Sequence, residues 1–241
     1  MRRSLALCLM VSLCGPAGAV DRQAAVSVGP GAGSPAEGGD STCGALLFTA
    51  DGIFEGGWAW QYAGIALPYS GAFAECYFDP AEVCAAVFHF TQAGYQSGQR
   101  MDVYLWDDQG GVPGAVRCIL PGVDPGPINY WPTTSRHVVE LPGGCCVDSA
   151  WWIGFWGDWP GEVAGWFIAA DLNGGPWPRN GCPYTNIAPG VGYPTGWTNV
   201  ETVWGPTMAL GIGAEVVACE PTPVERTSWG VIKALYEVPR P

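Results

Sequence analysis

Beyond residue 20, glycine, proline or charge interrupts every apolar stretch of the chain. That property removes membrane-spanning helices, which need about 20 consecutive apolar residues. It favours short strands joined by turns. The interruptions come from 36 glycines and 22 prolines among 241 residues. A content this high approaches that of disordered chains, but disorder also demands few aromatics and many charges. Here 13 tryptophans, 48% hydrophobic and only 13% charged residues supply a sizeable core. Strand character recurs at 45–49, 58–63, 73–78, 83–92, 100–106, 115–120, 136–141, 151–156, 166–171 and 207–217, with no helix-period segment between. Within 100–106 the period is two: Met101, Val103 and Leu105 face one way, Asp102, Tyr104 and Trp106 the other. The expected fold is all-β, a two-sheet antiparallel β-sandwich of jelly-roll type with about ten strands.

The N-terminus has the form of an export leader. Arg2 and Arg3 precede an apolar run from Ser4 to Leu13, and Ala17-Gly18-Ala19 supplies small residues for cleavage. The run is too short to span a membrane. Cleavage after Ala19 removes two arginines and no acids, leaving 8 basic and 22 acidic residues and a net charge of −14. A surface of that sign offers nothing to nucleic acid or anionic lipid. The expected organisation is a leader over 1–19, a flexible Ala/Gly/Ser/Pro spacer over 20–42, a sandwich over 43–218 and a tail over 219–241. The expected location is secreted or cell surface.

Of ten cysteines, Cys8 and Cys14 fall in the leader. Cys43, Cys76, Cys84, Cys118, Cys145, Cys146, Cys182 and Cys219 remain. An even number in an exported chain forms a disulfide framework. No C-x-x-C spacing points to a metal, and only His89 and His137 could add a nitrogen ligand. Cys76 and Cys84 flank a turn-rich link, which suggests a hairpin staple between them. A Cys43–Cys219 bridge would tie the domain ends together. The adjacent Cys145 and Cys146 need different partners. The remaining connectivity is open.

Three segments carry a resemblance. Asp51-Gly52-Ile53-Phe54-Glu55-Gly56-Gly57, the turn from Trp106-Asp107-Asp108 through Gly111-Val112-Pro113-Gly114, and Trp151-Trp152-Ile153-Gly154-Phe155-Trp156-Gly157 resemble parts of poorly characterised jelly-roll domains of secreted bacterial proteins. The resemblance covers roughly residues 45 to 215. It implies the sandwich fold and a bacterial origin, and it brings no catalytic residues.

Eight tryptophans fall between Trp151 and Trp204. An exposed indole face covers the C–H face of a sugar ring, while neighbouring polar groups bond its hydroxyls. Loop positions Trp159, Trp177, Tyr184, Tyr193 and Trp197, with Asp158, Asn173 and Arg179 near them, form the candidate glycan site. Strand residues Trp152, Trp156 and Trp166 are assigned to the core. Asp107, Asp108, Asp171 and Asn173 offer oxygens for Ca²⁺ without a complete EF-hand loop. No other cofactor is expected. H-E-x-x-H and G-x-S-x-G motifs are missing. His89 belongs to an apolar strand, and His137 is expected at the surface.

After Cys219 the pattern changes. Glu220-Pro221-Thr222-Pro223-Val224 is an extended linker. Trp229, Ile232, Leu235 and Tyr236 then recur at helical spacing. Ser228 to Tyr236 resembles short C-terminal tails of exported bacterial proteins, with Glu237 where the usual form has a basic residue. The tail is either a latch packed on the sandwich or a sorting signal read by export or surface-anchoring machinery. Three functional readings follow: a non-catalytic glycan-binding module, preferred; a structural or surface-assembly protein; and, third, a carbohydrate-active hydrolase.

Overall fold

The computed structural model describes residues 25–31, 33–35, 40, 42–60, 70–94, 98–143, 145–159, 165–174, 181–187 and 195–219. The leader, Trp177, Arg179, Tyr193, and Trp229, Ile232, Leu235 and Tyr236 of the tail lie outside these residues. In chain order the first strands are β1 (Ala25–Val28), β2 (Ser34–Pro35), β3 (Ala45–Phe48), β4 (Ile53–Phe54), β5 (Gly56–Trp60) and β6 (Ser70–Tyr77). Next come β7 (Ala81–Ala93), β8 (Arg100–Asp108), β9 (Pro113–Val123), β10 (Ser135–Glu140), β11 (Cys146–Val147) and β12 (Trp151–Asp158). The last are β13 (Gly165–Asp171), β14 (Tyr184–Ile187), β15 (Thr198–Asn199), α1 (Glu201–Trp204), β16 (Ala209–Leu210) and β17 (Ile212–Val217).

A nine-stranded sheet follows the order β1-β5-β13-β7-β17-β3, with β10 and β11 also on β7 and β16 on β13. A six-stranded sheet follows β15-β14-β6-β12-β8-β9. Their ladders are antiparallel, and together they make the expected two-sheet sandwich. Each of the ten expected strands is present. The additional ones are two to four residues long.

Period two fills the space between the sheets. Met101, Val103 and Leu105 of β8 and Trp151, Ile153 and Phe155 of β12 are buried in one cluster with Phe88 and Phe90 of β7. Phe155 meets Phe88 and Phe90 edge-on, both at 5.4 Å. Helix α1 brings Trp204 onto Trp60, centroids 4.6 Å apart, and the Trp204 indole N–H donates to the Val26 carbonyl.

The disulfides are Cys43–Cys84, Cys76–Cys182, Cys118–Cys145 and Cys146–Cys219. The expected Cys76–Cys84 staple does not form, because the link between these residues is a crossover and not a hairpin. Cys76 ends in the six-stranded sheet and Cys84 in the nine-stranded one. Nor does Cys43 reach Cys219. Cys145 and Cys146 do take different partners. The spacer expected over 20–42 also needs correcting, since β1 pairs with β5 and β2 with β4. Small residues in Ala25-Val26-Ser27-Val28 hid an edge strand whose hydrogen bonds composition does not display. Four disulfides suit an oxidising compartment. No helix among the described residues is long and apolar enough to cross a membrane.

Three buried polar side chains stand out. Glu75 points between the sheets and accepts from the Leu210 N–H at 2.6 Å and the Cys182 N–H at 2.8 Å. Burial, with Asp171 adding to it against those two N–H donors, pushes its carboxyl up to about 8. His89 is buried against Phe48 and Phe54, and its Nδ1 has no partner among the described residues. Burial, then the charges of Arg136 and His137, lowers it to about 4. His137, expected outside, is buried and faces inward. Its Nε2 lies 2.8 Å from Ser135 Oγ and its Nδ1 2.6 Å from the Pro125 carbonyl. Strand β10 pairs alongside β7 in the same sheet, with His137 opposite Phe88, so alternate side chains of β10 enter the core.

Candidate functional site

Alternation that sends Val103 and Ile153 inward sends their neighbours to the opposite face of the six-stranded sheet. An antiparallel sheet usually presents polar groups there. Here that face carries Tyr104 and Trp106 from β8, Trp152 and Trp156 from β12, and Tyr184 from β14, with Ala74 and Cys76 of β6 beneath. Trp197, from the segment entering β15, lies across them. Tyr104 and Trp106 are stacked within 2° at 5.1 Å. Trp197 meets Trp106 edge-on at 5.2 Å and Trp156 at 6.2 Å, and Tyr184 meets Trp152 edge-on at 5.0 Å. Trp106 and Trp152 form the floor, only 3% and 1% exposed. Tyr104, Trp156, Tyr184 and Trp197 are half-buried above it. Val116 and Ile119 of edge strand β9, paired with Trp106 and Tyr104, extend the apolar surface.

The rings are held in place from several sides. The Trp152 indole N–H donates to Asp108 Oδ1 at 2.8 Å. Asn186 Oδ1 accepts the Gly196 N–H at 3.0 Å, which anchors the approach to Trp197. The Cys76–Cys182 bridge fixes the segment that leads into Tyr184. Gly154 sits between Trp152 and Trp156, opposite Tyr104. A Cβ there would collide with the Phe73 carbonyl and the Ala74 Cα.

Carboxylates border the rings at both ends. Asp108 lies beside Trp152. At the other end Asp102 pairs across the ladder with Trp156, and Asp158 follows two residues after Trp156 on the same face. Asp102 Oδ1 accepts the Gly122 N–H at 2.7 Å. Partial burial, then the charge of Asp102, raises the Asp158 carboxyl, and the same two causes raise the Tyr104 phenol. Among the described residues, the nearby guanidinium groups are turned elsewhere. Arg100 reaches Asp124 at 3.6 Å and Arg117 binds Asp107.

Of the expected glycan residues, Tyr184, Trp197 and Asp158 come together on this face. Trp159 does not: it is fully buried, stacked on Trp166 at 4.3 Å, with its indole N–H on the Gly71 carbonyl. It directly follows β12 and continues that strand into the core. Asn173 belongs to the other sheet's rim, where its amide donates to Glu55 Oε1 at 2.8 Å. The oxygens expected for calcium are turned to N–H donors instead. Asp171 accepts from the N–H groups of Asp51, Asn173 and Gly174, and Asp108 from Gly111 and Trp152. Among the described residues no three His, Cys, Asp or Glu side chains gather as a metal site.

Tyr104, Trp106, Trp152 and Trp156 were missing from the expected site. Trp152 is buried as expected, but in this outer layer; Trp156, assigned to the core, is half-buried, and period two within 151–156 sets both opposite Trp151, Ile153 and Phe155. A concavity of about 210 Å³ opens beside β14, away from these rings, between Trp60, Thr185, Asn186 and Thr202. No titratable side chain lines it among the described residues. The molecule is thus a disulfide-bonded β-sandwich with one aromatic-clad sheet face. No protein family, curated protein or solved structure matches the chain.

Proposed function

We propose that this protein is an exported, non-catalytic β-sandwich that binds a glycan on the outer face of its six-stranded sheet, outside the cell or at its surface. One observation carries the reading: six aromatic rings occupy a sheet face that water normally claims, and four of them are half-exposed. Flat rings flanked by carboxylates match the two halves of sugar recognition, apolar C–H faces and hydroxyls. Four disulfides support the extracytoplasmic setting. Residues 1–19 then serve as the leader, and the tail over 219–241 as a latch or an address for export machinery.

Burial of Trp106 and Trp152 favours a second reading, in which the layer is structural and the protein serves surface assembly. A glycan array probed with the full mature chain, and with a Trp156→Ala/Trp197→Ala double variant, separates the two. Binding by the parent, lost in a variant that stays folded with a modestly lower melting temperature, is the expected result. No binding by the parent and a large loss of stability in the variant would make the rings packing alone. Release of new reducing ends would overturn the non-catalytic part.

A further inference from the structure

The Asp102–Asp158 end of the aromatic face narrows the ligand's chemistry. We infer that the glycan carries free, protonated amines, as in an unacetylated amino-sugar polymer, with its ring faces on Trp156 and Trp197 and an ammonium between Asp102 and Asp158. This rests on the glycan reading of the same face and adds its charge.

Asp102 and Asp158 are diagonal neighbours on adjacent strands, since Asp102 stands opposite Trp156 and Asp158 opposite Arg100. Side chains so placed are within reach of one bridging group. Arg100 is the basic residue nearest to Asp158 in the ladder, yet its guanidinium lies against Asp124 and the Gly122 carbonyl on β9. Asp158 consequently has no hydrogen-bond or ion-pair partner among the described residues. Asp102 spends one oxygen on Gly122 N–H. Partial burial, and after it the charge of Asp102, raises the Asp158 carboxyl, and a cation between the two carboxylates relieves their mutual repulsion. Negative ring faces at Trp156 and Tyr104 add attraction for the same ammonium. Asp108 gives the opposite end the same sign. A polyanion meets a face whose described residues offer no unpaired basic group and a chain of net charge −12.

Calorimetric titration of the full mature chain at a pH where the amines are protonated tests this. The probes are a glucosamine hexamer, its fully N-acetylated counterpart, a neutral glucose hexamer and hexalysine. The glucosamine hexamer is expected to bind about tenfold or more tighter than the acetylated one. Asp102→Asn/Asp158→Asn should erase that preference, and Trp156→Ala should abolish binding. Equal or tighter binding of the acetylated or glucose hexamer, untouched by the double Asn variant, overturns the amine inference and leaves the glycan reading standing. Hexalysine binding as well as glucosamine, with no effect of Trp156→Ala, reduces the attraction to bulk charge and overturns it too. Failure of every sugar, here and on the array, defeats both.

Discussion

Asn186 Oδ1 holds the Gly196 N–H at 3.0 Å, one residue before Trp197. An amide on β14 therefore sets the entry of the ring that caps the aromatic layer. Asn186→Ala should loosen Trp197 and cost about 1 kcal/mol. Near-ultraviolet circular dichroism is the readout, because edge-on rings such as Trp197 and Trp106 give strong signals. The variant spectrum should approach that of Trp197→Ala. A parental spectrum would show that packing against Trp106 and Trp156 holds Trp197 without Asn186.

Arg136 and Glu215 form a buried ion pair at 2.8 Å on the far side of the other sheet. Glu215 also accepts from the N–H groups of Thr42 and Cys43. Burial raises its carboxyl, but these bonds with Arg136 outweigh that and hold it below the ordinary range. Arg136→Met leaves a buried charge short of its partner and should cost about 3 kcal/mol or more. Urea unfolding measures this, and a change under 1 kcal/mol would mean Thr42 and Cys43 suffice.

Glu75 and His89 give stability a two-sided pH dependence. Glu75 is protonated more readily folded than unfolded. Its contribution is full below the ordinary carboxylate range and is lost as pH rises to about 8. His89 is harder to protonate when folded. Its contribution is full above the ordinary histidine range and is lost as pH falls towards about 4. Glu75→Gln should flatten the alkaline limb and His89→Phe the acidic limb of unfolding midpoints measured across this range. A Glu75→Gln variant as sensitive to alkali as the parent would assign that limb to another group.

Non-reducing peptide maps should recover Cys76 linked to Cys182 and Cys43 linked to Cys84. In the chain-entropy picture, replacing Cys76 and Cys182 by alanine should cost about 5 kcal/mol, because 106 residues separate them. A linked Cys76/Cys84 peptide would contradict the crossover between sheets.

Removing residues 221–241 tests the tail. A latch gives a less stable sandwich that still reaches its destination. A sorting signal gives an equally stable one that is mislocalised. Neither change would leave both roles without support.

The architecture was legible because alternation is a local property. Met101, Val103 and Leu105 declare their face within one strand. Pairing between strands distant in sequence is not local, so Cys76 and Cys84 looked like neighbours across a turn when they end in different sheets. The aromatic face was half legible. Tyr184, Trp197 and Asp158 were found through their loop-like surroundings. Trp152 is buried, as a strand tryptophan is expected to be, but under the outer layer, and the partial exposure of Trp156 depends on which sheet face the neighbouring strands leave open. Trp159 misled for the opposite reason: Pro160 beside it resembles a loop, while the ring still follows β12 inward.

The four bridges also govern what a single cut can do. The loops closed by Cys43–Cys84, Cys76–Cys182 and Cys146–Cys219 overlap along the chain. Every peptide bond from Cys43 to Cys219 is therefore spanned by at least one of them. Hydrolysis of any one such bond leaves both pieces covalently attached, so a nicked molecule gains one water and separates into fragments only when a reductant arrives. The sandwich is interlocked like links of mail, and a protease must cut more than once between Cys43 and Cys219 before any part of that stretch is released.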